Sequence, residues 1–176
     1  VAGEDYTYGR QEIANMELLP KYAKARFEVL KVVHLKEEGQ QISSTSIRSC
    51  LDQGKVAEAN ELLGYPFEHD GVIVHGKKIG RKLGFPTINV DVTKGERIPA
   101  EGIYAVKVCL LGQVIIGMAS IGRNETISEH NKRTLEINLL DFSQDVYGEH
   151  VVVQWFQHLR NQVKFPDVAA LSAQLQ

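Results

Sequence analysis

The chain has 176 residues, of which 43% are hydrophobic and 24% charged, and its formal net charge is -2. These values are typical of a soluble globular protein, they argue against a general nucleic-acid binder, and no apolar run approaches the length of a membrane span. The two cysteines, Cys50 and Cys109, form neither a C-x-x-C pair nor a disulfide framework, which predicts a reducing, cytoplasmic setting.

The first part of the chain predicts a mixture of short helices and strands. Residues 1–9 indicate a strand end that runs into an aromatic-rich loop. Apolar residues at helical spacing predict a helix over residues 13–25, with Pro20 as a distortion. The run FEVLKVVHL, residues 27–35, predicts a strand.

A hydroxyl-rich segment, ISSTSIR at residues 42–48, predicts the start of a helix that runs to Gln53. Ser44 or Thr45 is a suitable N-cap, and Gly54 ends the helix. The free N–H groups, the hydroxyls and Arg48 also suit a phosphate, although a capped helix without a ligand explains the same residues equally well. A second helix is predicted over residues 55–63, followed by Gly64 and a linker.

The most informative stretch is GVIVHGKKIGRKLGFPTINV, residues 71–90. It begins as a strand and continues with glycines, among them Gly76 and Gly80, between four Lys or Arg residues and no acidic residue. Glycines let the backbone approach phosphate oxygens, and cations such as Arg81 neutralise the phosphate charge. From composition alone, a basic, glycine-rich surface hairpin is an equally good interpretation.

Two oxygen-bearing side chains close this stretch. Thr87 and Asn89 are two residues apart, so on an extended segment both leave the same face. A hydroxyl and an amide oxygen on one face suit Mg²⁺, which shares its oxygen ligands with substrate phosphates.

From Phe67 onward the pattern predicts short strands joined by turns, which suggests a small barrel. After the glycine-rich stretch, strands are predicted at residues 102–108, 114–121, 133–141 and 150–158, and a helix at residues 167–174. In the strand RTLEINLLD, Glu136 falls on the polar face. From the residues alone, an ordinary solvated glutamate is the preferred interpretation of that position, and a general base is the alternative.

The run G-x-x-x-G-R-x-L-G-F-P-T-x-N resembles the signature of riboflavin kinases. These occur alone or as the C-terminal module of the bacterial bifunctional riboflavin kinase/FAD synthetase. The resemblance covers the whole chain: residues 66–176 resemble the kinase, and residues 1–65 resemble the tail of the FAD synthetase (FMN adenylyltransferase) module. It implies a mainly β fold, a six-stranded Greek-key barrel with a C-terminal helix, preceded by an α/β remnant.

The resemblance also implies roles for individual residues. The motif E-x-x-L-L-D-F-x-x-D-x-Y-G makes Glu136 the general base, and Arg160, in a segment similar to the family's L-R-x-E-x-x-F loop, would contact the flavin or close over the nucleotide. An exposed arginine at a strand end is the alternative for Arg160. Gln162 stands where that loop has glutamate. The nucleotide-binding residues would be His75, Gly76, Gly80, Arg81, Thr87 and Asn89, with Thr87 and Asn89 also holding the metal. Ser44, Thr45 and Arg48 would be a remnant nucleotide-phosphate motif.

The resemblance therefore implies ATP-dependent phosphorylation of riboflavin to FMN, with Mg²⁺ required and with neither nucleic acid nor a membrane as partner. One alternative is a flavin-binding regulatory barrel without turnover, and another is part of a bifunctional enzyme that also makes FAD. We expect no FAD synthesis from this chain alone, because no two of its six histidines are three residues apart and the H-x-G-H pair is missing. Oligomeric state is not specified by any of these patterns.

Overall fold

The computed structural model describes residues 2–3, 5–33, 36–37, 40–76, 87–92, 95–123 and 133–162. The chain divides into two compact units, Val1–Ser43 and Ser44–Gln176. The predicted C-terminal helix at 167–174 lies outside the described residues, as do Gly80 and Arg81. Within the described part of the chain, no helix is long and apolar enough to cross a membrane.

The first unit holds little regular structure. Strand β1 (Ala2–Gly3) pairs in parallel with β2 (Lys31–Val32). Helix α1 covers Leu19–Ala23, and β3 (Lys36–Glu37) pairs antiparallel with β4 (Gln40–Gln41).

Two predictions for this unit were wrong in extent. The helix expected over residues 13–25 is reduced to α1, because the side-chain oxygen of Asn15 accepts hydrogen bonds from the backbone of Glu17 and Leu18. Such a local bond offers the backbone an alternative to the helix, and Pro20 is tolerated only in the first turn. Of the strand expected over 27–35, the described residues keep only β2, whose partner β1 is two residues long.

The second unit opens with two helices, as the sequence predicts. Helix α2 covers Ser44–Asp52 and α3 covers Val56–Leu63. Gly64 ends α3 with a φ of 79°, and its N–H donates to the carbonyl oxygen of Asn60. Glycine adopts this left-handed conformation without the steric cost that a Cβ would bring.

Six antiparallel strands follow and close into a barrel, which confirms the predicted fold class. The order around the barrel is β5-β6-β9-β8-β7-β10, with β10 closing on β5. Because β7, β8 and β9 are consecutive neighbours and β10 returns beside β7, the last four strands form a Greek key. The strands are β5 (Glu68–Val74), β6 (Thr87–Val92), β7 (Gly102–Leu110), β8 (Gln113–Arg123), β9 (Arg133–Leu139) and β10 (His150–Arg160).

Alternating residues of these strands fill the barrel interior. In β9, for example, Leu135, Ile137 and Leu139 are buried while the residues between them are only partly covered. Leu51 of α2 and Val56 and Ala59 of α3 belong to the same hydrophobic core. The two helices therefore pack on the barrel. The boundary between the two compact units lies at residues 43/44, whereas the sequence predicts the module boundary at 65/66.

Candidate functional site

The register between β6 and β9 places Asn89 directly opposite Glu136. Both residues are half-buried and lie on the outer face of the barrel, because the alternate residues Val90 and Leu135 are in the core. Opposite residues on one face of an antiparallel pair have Cβ atoms about 5 Å apart. The sheet thus brings together an amide and a carboxylate that are far apart in sequence.

This pair lies at the wall of a cavity of about 930 Å³. The cavity is lined by the end of β5, by β6, by the segment after β6, by the start of β9 and by the end of α2. Its described lining residues are Asp52, Val74, His75, Gly76, Asn89, Val90, Asp91, Val92, Gly95, Glu96, Arg97, Ile98, Arg133, Thr134, Leu135 and Glu136.

Gly76 packs closely against Asn89 at this wall. A Cβ built on Gly76 would overlap the side-chain amide of Asn89 and lie 2.7 Å from its Oδ1. Next to it, the exposed ring of His75 packs on Tyr147, with 3.8 Å between the ring centroids. The predicted nucleotide residues His75 and Gly76 therefore lie in one cavity with Asn89 and Glu136.

The predicted residues Thr87 and Arg160 lie outside the described lining of this cavity. Thr87 begins β6 opposite Asn138 and shares the outer face with Asn89, but the described lining of the cavity does not include it. Arg160 ends β10, where it is exposed and donates to the carbonyl oxygen of Asn161, also outside that lining.

The remnant phosphate motif does not join the same cavity. Ser44, Thr45 and Arg48 are exposed on α2. Arg48 lines a second, smaller cavity of about 460 Å³, whose other described lining residues are Ile47, Leu51, Leu63, Tyr65, Phe67, Glu68 and Arg97. None of the three is among the described residues that line the larger cavity.

Three functional candidates in the cavity wall were not predicted from the sequence. Nη1 of Arg97 lies 2.5 Å from both carboxylate oxygens of Asp52. Nη1 of Arg133 donates to the carbonyl oxygen of Pro99 at 3.0 Å. The partners in each pair are more than thirty residues apart, so no local pattern signals these contacts.

The chemistry of the wall suits a phosphorylated ligand with its metal. Asn89 Oδ1 is an oxygen donor of the kind that Mg²⁺ accepts, and a Mg²⁺ site usually needs only one or two protein ligands beside substrate phosphates. In the described residues no group of three or more His, Cys, Asp or Glu side chains forms a complete metal cage. The residues present therefore fit a metal that enters with a nucleotide.

A carboxylate beside such a site can also accept a proton. General bases must lie within hydrogen-bond reach of the proton that they abstract, and a kinase base accepts the proton of the attacking hydroxyl. Glu136 is the side chain directly across the ladder from the proposed metal ligand Asn89, so a hydroxyl that attacks a phosphate held at Asn89 would be close to it.

Comparison with known proteins finds similar bacterial proteins. The bifunctional riboflavin kinase/FMN adenylyltransferase of Listeria monocytogenes is 44% identical over 176 residues, and the Bacillus subtilis protein of that name is 37% identical over 178. Both alignments cover 100% of this chain and 56% of the relative, so the chain spans about half the length of the curated relatives it matches.

A solved structure described as a macrolide-efflux protein from Streptococcus pneumoniae is also similar. It has 40% sequence identity and a TM-score of 0.85, over 99% of this chain and 56% of that one. The model of the flavokinase family, described as riboflavin kinase, matches residues 63–176, which include all six barrel strands and the Asn89–Glu136 pair. The chain belongs to the riboflavin kinase family.

Proposed function

We propose that this chain transfers the γ-phosphoryl group of ATP to the 5′-hydroxyl of riboflavin, giving FMN and ADP. The observation that carries the proposal is the Asn89–Glu136 pair at the wall of a cavity large enough for a nucleotide. Family membership and the names of the relatives, each a riboflavin kinase joined to an FMN adenylyltransferase, support the same choice of substrates.

In the proposed reaction the riboflavin hydroxyl loses its proton to Glu136 as its oxygen bonds to the γ-phosphorus. The bond between that phosphorus and the β,γ-bridging oxygen breaks, and ADP leaves with the bridging oxygen. Glu136 then carries the proton until it is released to solvent. A positioned base of this kind typically contributes about 10²–10⁴-fold to the rate.

Mg²⁺ would be held by Asn89, with Thr87 as the second ligand, and would neutralise charge on the ATP phosphates. Thr87 shares the face of Asn89 on β6, which supports this assignment. The lack of a side chain at Gly76 leaves room for the Asn89 amide and for an approaching phosphate. We assign phosphate contacts to His75, Gly76, Gly80 and Arg81.

Arg160 is proposed to contact the flavin, and the motif with Ser44, Thr45 and Arg48 is proposed to be a remnant of an adenylyltransferase phosphate site. Riboflavin, FMN, ATP and ADP are the proposed partners. The proposed setting is cytoplasmic, and the two free cysteines, Cys50 and Cys109, support it.

The test is incubation of the chain with riboflavin, ATP and MgCl₂, with flavins separated by chromatography and ADP measured in the same samples. We expect FMN and ADP to appear in equal amounts, and EDTA to abolish both. Riboflavin binding without formation of either FMN or ADP would instead favour a flavin-binding barrel.

A further inference from the structure

The segment that follows β6 forms one wall of the nucleotide cavity. Residues Gly95 to Ile98 line the cavity, and the segment continues through Pro99 and Ala100 to the start of β7. Its described residues, 95–100, have no regular secondary structure, so no backbone ladder holds them in place. Burial of Ile98 in the hydrophobic core and bonds to neighbouring elements set their position.

Helix α2 supplies two of these bonds. Arg97 Nη1 contacts both carboxylate oxygens of Asp52, the last residue of α2, and the backbone N–H of Ala100 donates to the carbonyl oxygen of Leu51 at 2.9 Å. A carboxylate at a helix C-terminus is unfavourable beside the negative end of the helix dipole, and the guanidinium of Arg97 compensates for this charge.

The barrel supplies bonds on the other side. Arg133 Nη1 donates to the carbonyl oxygens of Ile98 and Pro99, at 3.5 and 3.0 Å. The hydroxyl of Tyr104 donates to the carbonyl oxygen of Ala100 at 2.7 Å. Burial raises the pKa of Tyr104 to about 12, so this hydroxyl keeps its proton and remains a donor at neutral pH.

These bonds connect α2 to the strand that carries the proposed base. Arg133 is the first residue of β9, and Glu136 follows three residues later. The cavity wall is thus held between α2 on one side and β9 on the other. We infer that Asp52 and Arg97 are a positioning pair that sets the shape of the nucleotide cavity, an inference that rests on the proposed function.

The inference gives α2 a role in the kinase reaction although it lies before the matched kinase region, residues 63–176. The pair acts through geometry more than through stability. The side chains of Arg97 and Asp52 are 42% and 56% exposed, and exposed ion pairs contribute little to the free energy of unfolding. A displaced wall, in contrast, changes the contacts that a bound nucleotide makes.

The test measures KM for MgATP and KM for riboflavin, each at a saturating concentration of the other substrate, in Asp52→Asn and Arg97→Gln. We expect KM for MgATP to rise by roughly two- to fivefold, which lies within the range that an exposed ion pair supports. Turnover at saturation, KM for riboflavin and the melting temperature should stay near wild type. In the variant that carries both substitutions, KM for MgATP should rise as much as in either single variant, because each substitution removes the same contact.

A matched control is Glu58→Gln, which breaks the exposed Lys55–Glu58 ion pair of α3 outside the described cavity lining. This variant should leave KM for MgATP unchanged. An equal rise in Glu58→Gln, a rise in KM for both substrates, or no rise in the Asp52 and Arg97 variants would overturn the inference. Loss of the proposed function would appear differently, as absence of ATP-dependent FMN formation in the wild-type chain itself.

Discussion

Glu136 is the residue on which the proposed proton transfer depends. Replacing it with Gln keeps the size of the side chain but removes the base, so we expect kcat to fall by about 10²–10⁴-fold while KM for both substrates changes little. Steady-state FMN formation measures both constants. Glu149→Gln, which neutralises an exposed carboxylate outside the described cavity lining, is the control and should keep wild-type rates. Near-normal turnover in Glu136→Gln would remove this residue from the mechanism.

Gly76 and Asn89 are in close steric contact at the cavity wall. The Cβ of Gly76→Ala would overlap the Asn89 amide, so the amide must move and KM for MgATP should rise. Asn89→Ala should raise KM for MgATP as well and increase the MgCl₂ concentration needed for turnover, because it removes a proposed metal ligand.

The two substitutions together test whether the effect passes through this contact. In the Asn89→Ala background the overlapping atoms are absent, so adding Gly76→Ala should have little further effect. The four proteins form a double-mutant cycle, in which residues in contact usually show a coupling of about 0.5–3 kcal/mol. Strictly additive changes in KM would mean that Gly76 acts independently of Asn89.

At the scale of elements, α3 is attached to the barrel by the side chain of Asn60. Its Nδ2 donates to the carbonyl oxygen of Trp155 in β10 at 2.8 Å, and its Oδ1 accepts from the backbone N–H of Phe67 at 2.7 Å. The backbone N–H of Trp155 in turn donates to the carbonyl oxygen of Phe67. One amide side chain thus satisfies two backbone groups at a part-buried contact between the helix and the barrel.

Asn60→Ala should therefore destabilise the second unit. Each buried polar group left without a partner costs about 1–3 kcal/mol, so we expect a loss of roughly 2–4 kcal/mol in the free energy of unfolding. Urea unfolding followed by Trp155 fluorescence measures it, since this is the single tryptophan of the chain. Glu61→Ala, an exposed position on the same helix, should change the value by less than about 0.5 kcal/mol. Equal stability of the two variants would contradict the proposed attachment.

At the scale of the whole molecule, a buried histidine makes stability depend on pH. Nδ1 of His69 accepts a hydrogen bond from Nε1 of Trp155 at 3.0 Å, and Nε2 has no hydrogen-bond partner among the described residues. Burial lowers the pKa of His69 to about 4, against the slight opposing effect of Asp70. Protonation of the neutral His69 ring would place a proton on Nδ1, which could then no longer accept the hydrogen bond from Trp155.

Because the folded-state pKa lies below the unfolded value of about 6.5, the unfolded chain takes up the proton first. The contribution of His69 is fully present above pH 6.5 and is lost as pH falls toward 4, with a slope of at most about 1.4 kcal/mol per pH unit. Urea unfolding between pH 7.5 and 4.5 should show this fall in the free energy of unfolding. The fall should be smaller in His69→Gln, which keeps an acceptor for Trp155 but has no titrating ring. His150→Gln, at an exposed position, should retain the wild-type slope, and identical slopes in all three proteins would contradict the assignment.

The sequence by itself predicted the small barrel and the strand face on which Glu136, the proposed base, lies. Alternation of polar and apolar residues in β9 places Leu135 and Ile137 inside and Glu136 outside, because successive side chains of a strand point to opposite faces. The same alternation puts Thr87 and Asn89 on one face of β6. Turn residues between short strands predicted a small barrel, and the structure has a closed barrel of six strands.

Tertiary structure alone decided which of these side chains meet. The β6–β9 pairing joins Asn89 to Glu136 across a crossover connection that skips two strands, and strand order of this kind is not encoded in local periodicity. The Asp52–Arg97 pair and the contacts of Arg133 likewise link segments brought together only by packing of α2 on the barrel. Local pattern specifies the face on which a side chain lies, but its neighbour across that face depends on burial of the whole core, which is a property of the folded chain.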